Sequence, residues 1–251
     1  MLEIQREDLL STGILQPSEF VTNCRSRRAC GVEVSLTTFG FSAFLKLLSM
    51  NDRPRRTELR RRFSPAKPSS GYDYHTSFRV RARHYLLDGE AMPDVLASTS
   101  TIKKPSERLS AITALQRLET WRAGMSGTIV TFEPVIFESP GKLFKVKFEP
   151  DFGVLIHGQI TAFHLWNTQK PNLAAGSAYA ALALVAEAYQ DHDRAPGDVA
   201  VLSTRHDPPQ ELRLGDVPAP LALASSIIEQ IEDDIRGATT SLPPPEDRPR
   251  P

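Results

Sequence analysis

Two cysteines, Cys24 and Cys30, are all that a chain of 251 residues carries. They are not in a zinc-type spacing, and so few thiols fit a reducing compartment better than a disulfide framework. No run of 18 apolar residues exists, so no membrane-spanning helix is expected. The opening MLEIQREDLL contains acids and lacks a long apolar stretch, which argues against a secretory leader. These absences predict a cytoplasmic protein without a membrane partner. Nucleotide and hydrolase signatures are missing as well. There is no P-loop, no G-x-G-x-x-G, no G-x-S-x-G, no zinc-ligand spacing and no internal repeat. Ser/His/Asp hydrolysis therefore has no support at this level.

Net charge is also absent, but only as a sum. Residues 1–123 hold 20 Lys and Arg against 13 Asp and Glu, while residues 124–251 hold 10 against 17. Such asymmetry marks either a polyanion-binding half or two halves that attract each other. The basic half reads as mainly helical. Segments 5–15 and 18–28 are helical in pattern, and 32–36 alternates as a short strand. Residues 39–48 present Phe41, Phe44, Leu45 and Leu48 on one helical face. Six arginines follow in NDRPRRTELRRRF: Arg53, Arg55, Arg56, Arg60, Arg61 and Arg62. Guanidinium forks suit phosphate, so this run is a candidate nucleic-acid patch. The plain alternative is a solvated helix face, since no aromatics interleave the run as on a base-stacking platform. A Pro/Ser/Gly loop covers 64–71. Helices are expected over 72–87, 90–97 and 106–123, the last ended by Gly124 and Gly127.

Three apolar-rich runs then follow at short intervals. Lys142 to Glu149 alternates strictly, the mark of a half-buried strand, and Pro150 must end or bend it. Phe152 to Ile156 and Ile160 to Trp166 are joined at His157-Gly158, a turn that glycine permits. The last run is apolar on both faces and so should be internal and covered twice. A strand interrupted by Pro134 precedes these runs over 129–138. An Ala-rich helix over 172–190 follows, then a buried strand at 199–202, an edge strand at 211–214 and a helix over 221–235. The Pro-rich remainder from Gly237 cannot bury enough apolar area to fold. The expected class is α/β (α+β), with a helical N-terminal part packed on a small mixed β-sheet core flanked by helices. The expected division is 1–123 helical and basic, 124–236 α/β core, and 237–251 disordered tail.

A helix ahead of a three-stranded run, then helix and strand, resembles the PD-(D/E)XK superfamily of restriction-endonuclease-like folds. The local likeness is to the exonuclease domains of recombination nucleases. In those domains an upstream Glu precedes an Asp at the second strand, acid-x-Lys lies in the third, and a helix with Gln and Tyr follows. The resemblance puts Glu138 at the first place and Asp151 at the second. His164-Leu165-Trp166 stands where acid-x-Lys would fall, Lys170 lies four residues beyond, and Tyr179 sits in the helix without its Gln. What it implies for an active member is Mg²⁺ held by Glu138, Asp151 and His164, with Lys170 supporting the attacking water. The departures imply instead a non-catalytic member that needs no cofactor and binds nucleic acid or a protein partner. A third reading is a structural interaction protein whose arginines pair with its own acidic half. Asp191-His192-Asp193, His206-Asp207 and the acid pair Glu149 and Asp151 are lesser candidates, each read more simply as polar loop or strand end.

Overall fold

A computed structural model describes residues 36–63, 75–190 and 192–240. All of them fall in the unit that begins at Leu36. The segments 5–15 and 18–28, both cysteines, most of the 32–36 strand, the 64–71 loop and the chain beyond Thr240 lie outside the described residues.

The β-branched pair Thr37-Thr38 opens a strand, β1 (Thr37–Gly40), that pairs in parallel with β4 (Phe144–Phe148). Phe39, expected on a helix, therefore sits in this strand opposite Val146. The helix waits until α1 (Phe41–Leu48) because Gly40 is extended, with φ −69° and ψ 152°. Next come α2 (Asp52–Phe63), α3 (Thr76–Leu86), α4 (Met92–Ser98), a single 3₁₀ turn (Thr99–Thr101) and α5 (Pro105–Ala123). Proline at the first position of α5 costs nothing, since that N–H has no intrahelical acceptor.

The 129–138 segment divides at Pro134 into β2 (Thr128–Val130) and β3 (Val135–Glu138), and the two halves join different sheets. β5 (Phe152–Ile156), β6 (Gln159–Trp166), α6 (Ala175–Tyr189), β7 (Asp198–Ser203), β8 (Gln210–Arg213), a 3₁₀ turn (Leu214–Asp216) and α7 (Leu221–Thr240) complete the described chain. Gly237 to Thr240, expected in the tail, continue α7.

The main correction concerns the three central runs. β4 lies in a three-stranded sheet, order β1-β4-β3, whereas β5 and β6 lie in a five-stranded sheet, order β2-β5-β6-β7-β8. The core is thus two mixed sheets rather than one, and the chain changes sheet across Glu149-Pro150-Asp151. Pro150 has no N–H to continue the first ladder. The mixed character holds in both sheets: β1 and β4 are parallel, as are β6 and β7, and the remaining pairs are antiparallel.

β6 is covered on both faces, as its double apolar pattern predicts. Phe163 and Leu165 pack with Phe152, Val154, Ala200 and Leu202 against α3, α4 and α5. Ala162 and Trp166 face the other way, toward α1, α6 and the buried Phe144, Val146 and Phe148 of β4. Phe152 and Phe163, cross-strand partners, stack with centroids 5.1 Å apart. Seven residues of α6 between Ala178 and Val185 are buried; its alanines let it lie close on β7 and α7. Because β1 and α5 both complete this core, the charge change near residue 123 is a boundary of composition and not of packing.

Candidate functional site

The change of sheet brings Asp151 beside the end of β6. β5 begins only at Phe152, so the N–H of Leu165 lacks a strand carbonyl there. The Asp151 carboxylate takes that place, its Oδ2 accepting from Leu165 N at 2.7 Å. Its Oδ1 accepts from Arg79 Nε of α3 at 2.6 Å. His164 Nδ1 stands 3.3 Å from Oδ2, and both side chains are 1% exposed. On the far side of the ring, His164 Nε2 meets Ser42 Oγ of α1 at 2.7 Å. Phe41 meets the imidazole edge-on at 5.1 Å, and Phe148 lies tilted at 6.4 Å. Burial alone would push the Asp151 carboxyl up; the His164 contact, with Arg79 and the Leu165 amide, outweighs it and holds the group below its ordinary value. At this site, one carboxylate ties α3, β6 and, through His164, α1 into one network.

Asp151 and His164 therefore meet as the resemblance requires, but the other two members do not join them. Glu138 is on β3, in the other sheet, where it faces its register partner Lys145 at 3.0 Å. Lys170 is exposed, beyond the end of β6. No cluster of three or more His, Cys, Asp or Glu side chains suited to a metal occurs among the described residues. A cation does lie against Asp151: the guanidinium of Arg79, which neutralises the carboxylate from within the chain. Nothing in the sequence pairs Arg79 with Asp151, 72 residues later.

The lesser candidates separate as well. Glu149 is half-exposed and pairs with Lys147 at 2.7 Å, which, with Arg79 and Arg83, holds it below its ordinary value. It shares no ligand position with the buried Asp151. His192 and Asp193 line a small cavity with Glu133, Tyr189 and Arg194. His206 and Asp207 are exposed.

The arginine run is a helix, and most of it is occupied. Arg55 is buried and donates through Nε to Asp234 of α7 at 3.0 Å; it also reaches Asp52 at 3.1 Å. Arg56 donates to the other oxygen of Asp234 at 2.8 Å. Arg61 and Arg62 share Glu58, at 2.8 and 2.9 Å. Burial pushes Glu58 up, but these two contacts dominate and lower it. Arg62 also lies over the Phe39 ring, 5.5 Å from its centroid. Arg53 and Arg60 are exposed.

No family model matches this chain. No curated protein matches it either. Among solved structures, one titled "Crystal structure of SSO0001" is similar at 16% sequence identity, over 80% of this chain and 76% of that chain, with a TM-score of 0.34. A likeness at that level carries no functional argument.

Proposed function

We propose that this chain neither cuts nor grips nucleic acid, and that, without the nuclease activity of the family it resembles, it works through contact with a protein partner. One observation carries the reading: the Asp151 carboxylate is spent on Arg79, the Leu165 amide and His164. A metal-binding carboxylate needs an oxygen free to face the ion and its water. Here both oxygens are held from within the fold, and the nearby positive charge belongs to an arginine. The arginines of α2 support the second half of the reading. Four of six answer acids of the same chain, two of them through Asp234 in the acidic half. That is the pairing expected where two oppositely charged parts of one chain attract each other.

The test uses the full chain with labelled single- and double-stranded DNA and RNA, in Mg²⁺ and in Mn²⁺. No cleavage is expected, and no affinity that falls steeply with salt. Divalent-dependent cleavage abolished by Asp151→Ala would restore the nuclease alternative. Salt-sensitive affinity lost on neutralising Arg53 and Arg60 would restore the nucleic-acid patch, because phosphate contacts must release counterions.

A further inference from the structure

Ser42, His164 and Asp151 come from three separate parts of the chain and meet in a fixed order: hydroxyl, imidazole, carboxylate. Ser42 Oγ is 2.7 Å from Nε2, and Nδ1 of the same ring is 3.3 Å from Asp151 Oδ2. With its proton on Nδ1 the ring leaves Nε2 to accept from the serine, and Asp151 Oδ2 lies at ion-pair distance from the protonated nitrogen. The carboxylate is fixed in turn by Arg79 and by the Leu165 amide, and the ring is held between Ser42, Phe41 and Phe148. Ser42 itself lies where a strand passes directly into a helix, β1 ending at Gly40 and α1 starting at Phe41. Gly40-Phe41-Ser42-Ala43-Phe44 departs from the G-x-S-x-G pattern only at Phe44, and a strand-to-helix junction is the setting that pattern requires. No side chain caps the start of α1, and a Cβ built on Gly40 would meet nothing within 4 Å. Open space therefore lies at Gly40, two residues before Ser42. Of the three groups, only Ser42 is partly exposed.

We infer that Ser42 is a nucleophile, that His164 is its general base, and that Asp151 is the residue positioning the imidazole, for acyl transfer from small activated esters. In the first step the Oγ–H proton passes to Nε2 while Oγ bonds the carbonyl carbon. The ester C–O bond then breaks, and the alcohol leaves with the proton from Nε2. Water repeats the sequence on the acyl-serine, releasing the acid and restoring Ser42. No metal, oxidant or reductant enters the balance. Burial of His164 restricts the substrate to groups that reach Oγ from the surface side. Metal-free chemistry at Ser42 is independent of whether nucleic acid is cut.

The experiment treats the full chain with a fluorophosphonate probe, maps the labelled peptide by mass spectrometry and follows p-nitrophenyl acetate turnover. The expected label is on Ser42, absent in Ser42→Ala. Its rate should rise with pH through a single ionisation, level off, and fall about 100-fold in His164→Gln, the scale of a lost general base. No label on Ser42 would overturn the inference, as would an equal rate in His164→Gln. Should His164→Gln fail to fold, the wild-type profile decides: a rate that never levels off means attack driven by hydroxide alone, and the inference falls.

Discussion

At Asp151 a single buried carboxylate accepts from an amide and a guanidinium and lies 3.3 Å from an imidazole nitrogen. Removing it leaves the buried Leu165 amide without its acceptor and the buried imidazole without its carboxylate, while Arg79 is partly exposed. Asp151→Ala should therefore cost about 3–5 kcal/mol of stability, read from urea unfolding. The sign of its pH dependence follows from the lowered carboxyl. The contribution is complete above the ordinary value of 3.8 and is lost as pH falls through the folded value below it. The wild type should thus lose stability in acid more steeply than Asp151→Asn, and parallel acid limbs would contradict the assignment. Gly127 makes a second test at this scale. Its φ is +135°, and an added Cβ would lie 2.8 Å from Ile156 Cγ1 and 2.9 Å from Val154 Cγ1. Gly127→Ala should cost about 1–3 kcal/mol, the range for a residue forced into a disfavoured backbone region.

The elements explain why arginines in one run do different things. Arg55 and Leu59 are four apart on α2 and are its buried residues, so Arg55 faces inward with the apolar side chain. Asp234 on α7 meets it there, and both side chains are 7% exposed. Asp234→Ala should cost about 3 kcal/mol, the lower end for a broken buried pair, because Asp52 still holds Arg55. Arg60→Ala, at an exposed position, should stay within about 0.5 kcal/mol. Equal losses at the two sites would show that α2 does not dock on α7 through Asp234.

Most of these elements were legible because their periods are local. The alternation of Phe144, Val146 and Phe148 and the doubly apolar β6 both read correctly from spacing alone. Sheet membership did not, since pairing depends on partners far along the chain: β4 took β1, 107 residues earlier in register, and not β5 next to it. The same limit governed the site. The resemblance points to Asp151 and His164, which do meet, but Arg79 and Ser42 carry no local mark of where they will be brought. Glu138 failed because Pro134 sends β3 to the other sheet.

Among the described residues, the two halves of the chain exchange charge across α2 and α7. A basic half and an acidic half, equal in excess, meet where α2 lies on α7, and the buried carboxylate of Asp151 is balanced by Arg79. A chain so arranged should show little response of its stability to nucleic acid, measured as an unshifted thermal midpoint with excess DNA. By contrast, about 0.5 M salt should lower its stability modestly through screening of Arg56 and the Glu58 pairs at the surface.

The most direct measurement follows the unfolding midpoint of the wild type and of Asp151→Asn with and without millimolar Mn²⁺. A carboxylate that serves the fold predicts a wild-type midpoint that Mn²⁺ does not move, and a clear loss in Asp151→Asn. A midpoint raised by Mn²⁺ in the wild type but not in the variant, or a variant more stable than the wild type without metal, would show an oxygen kept for an ion and contradict the account.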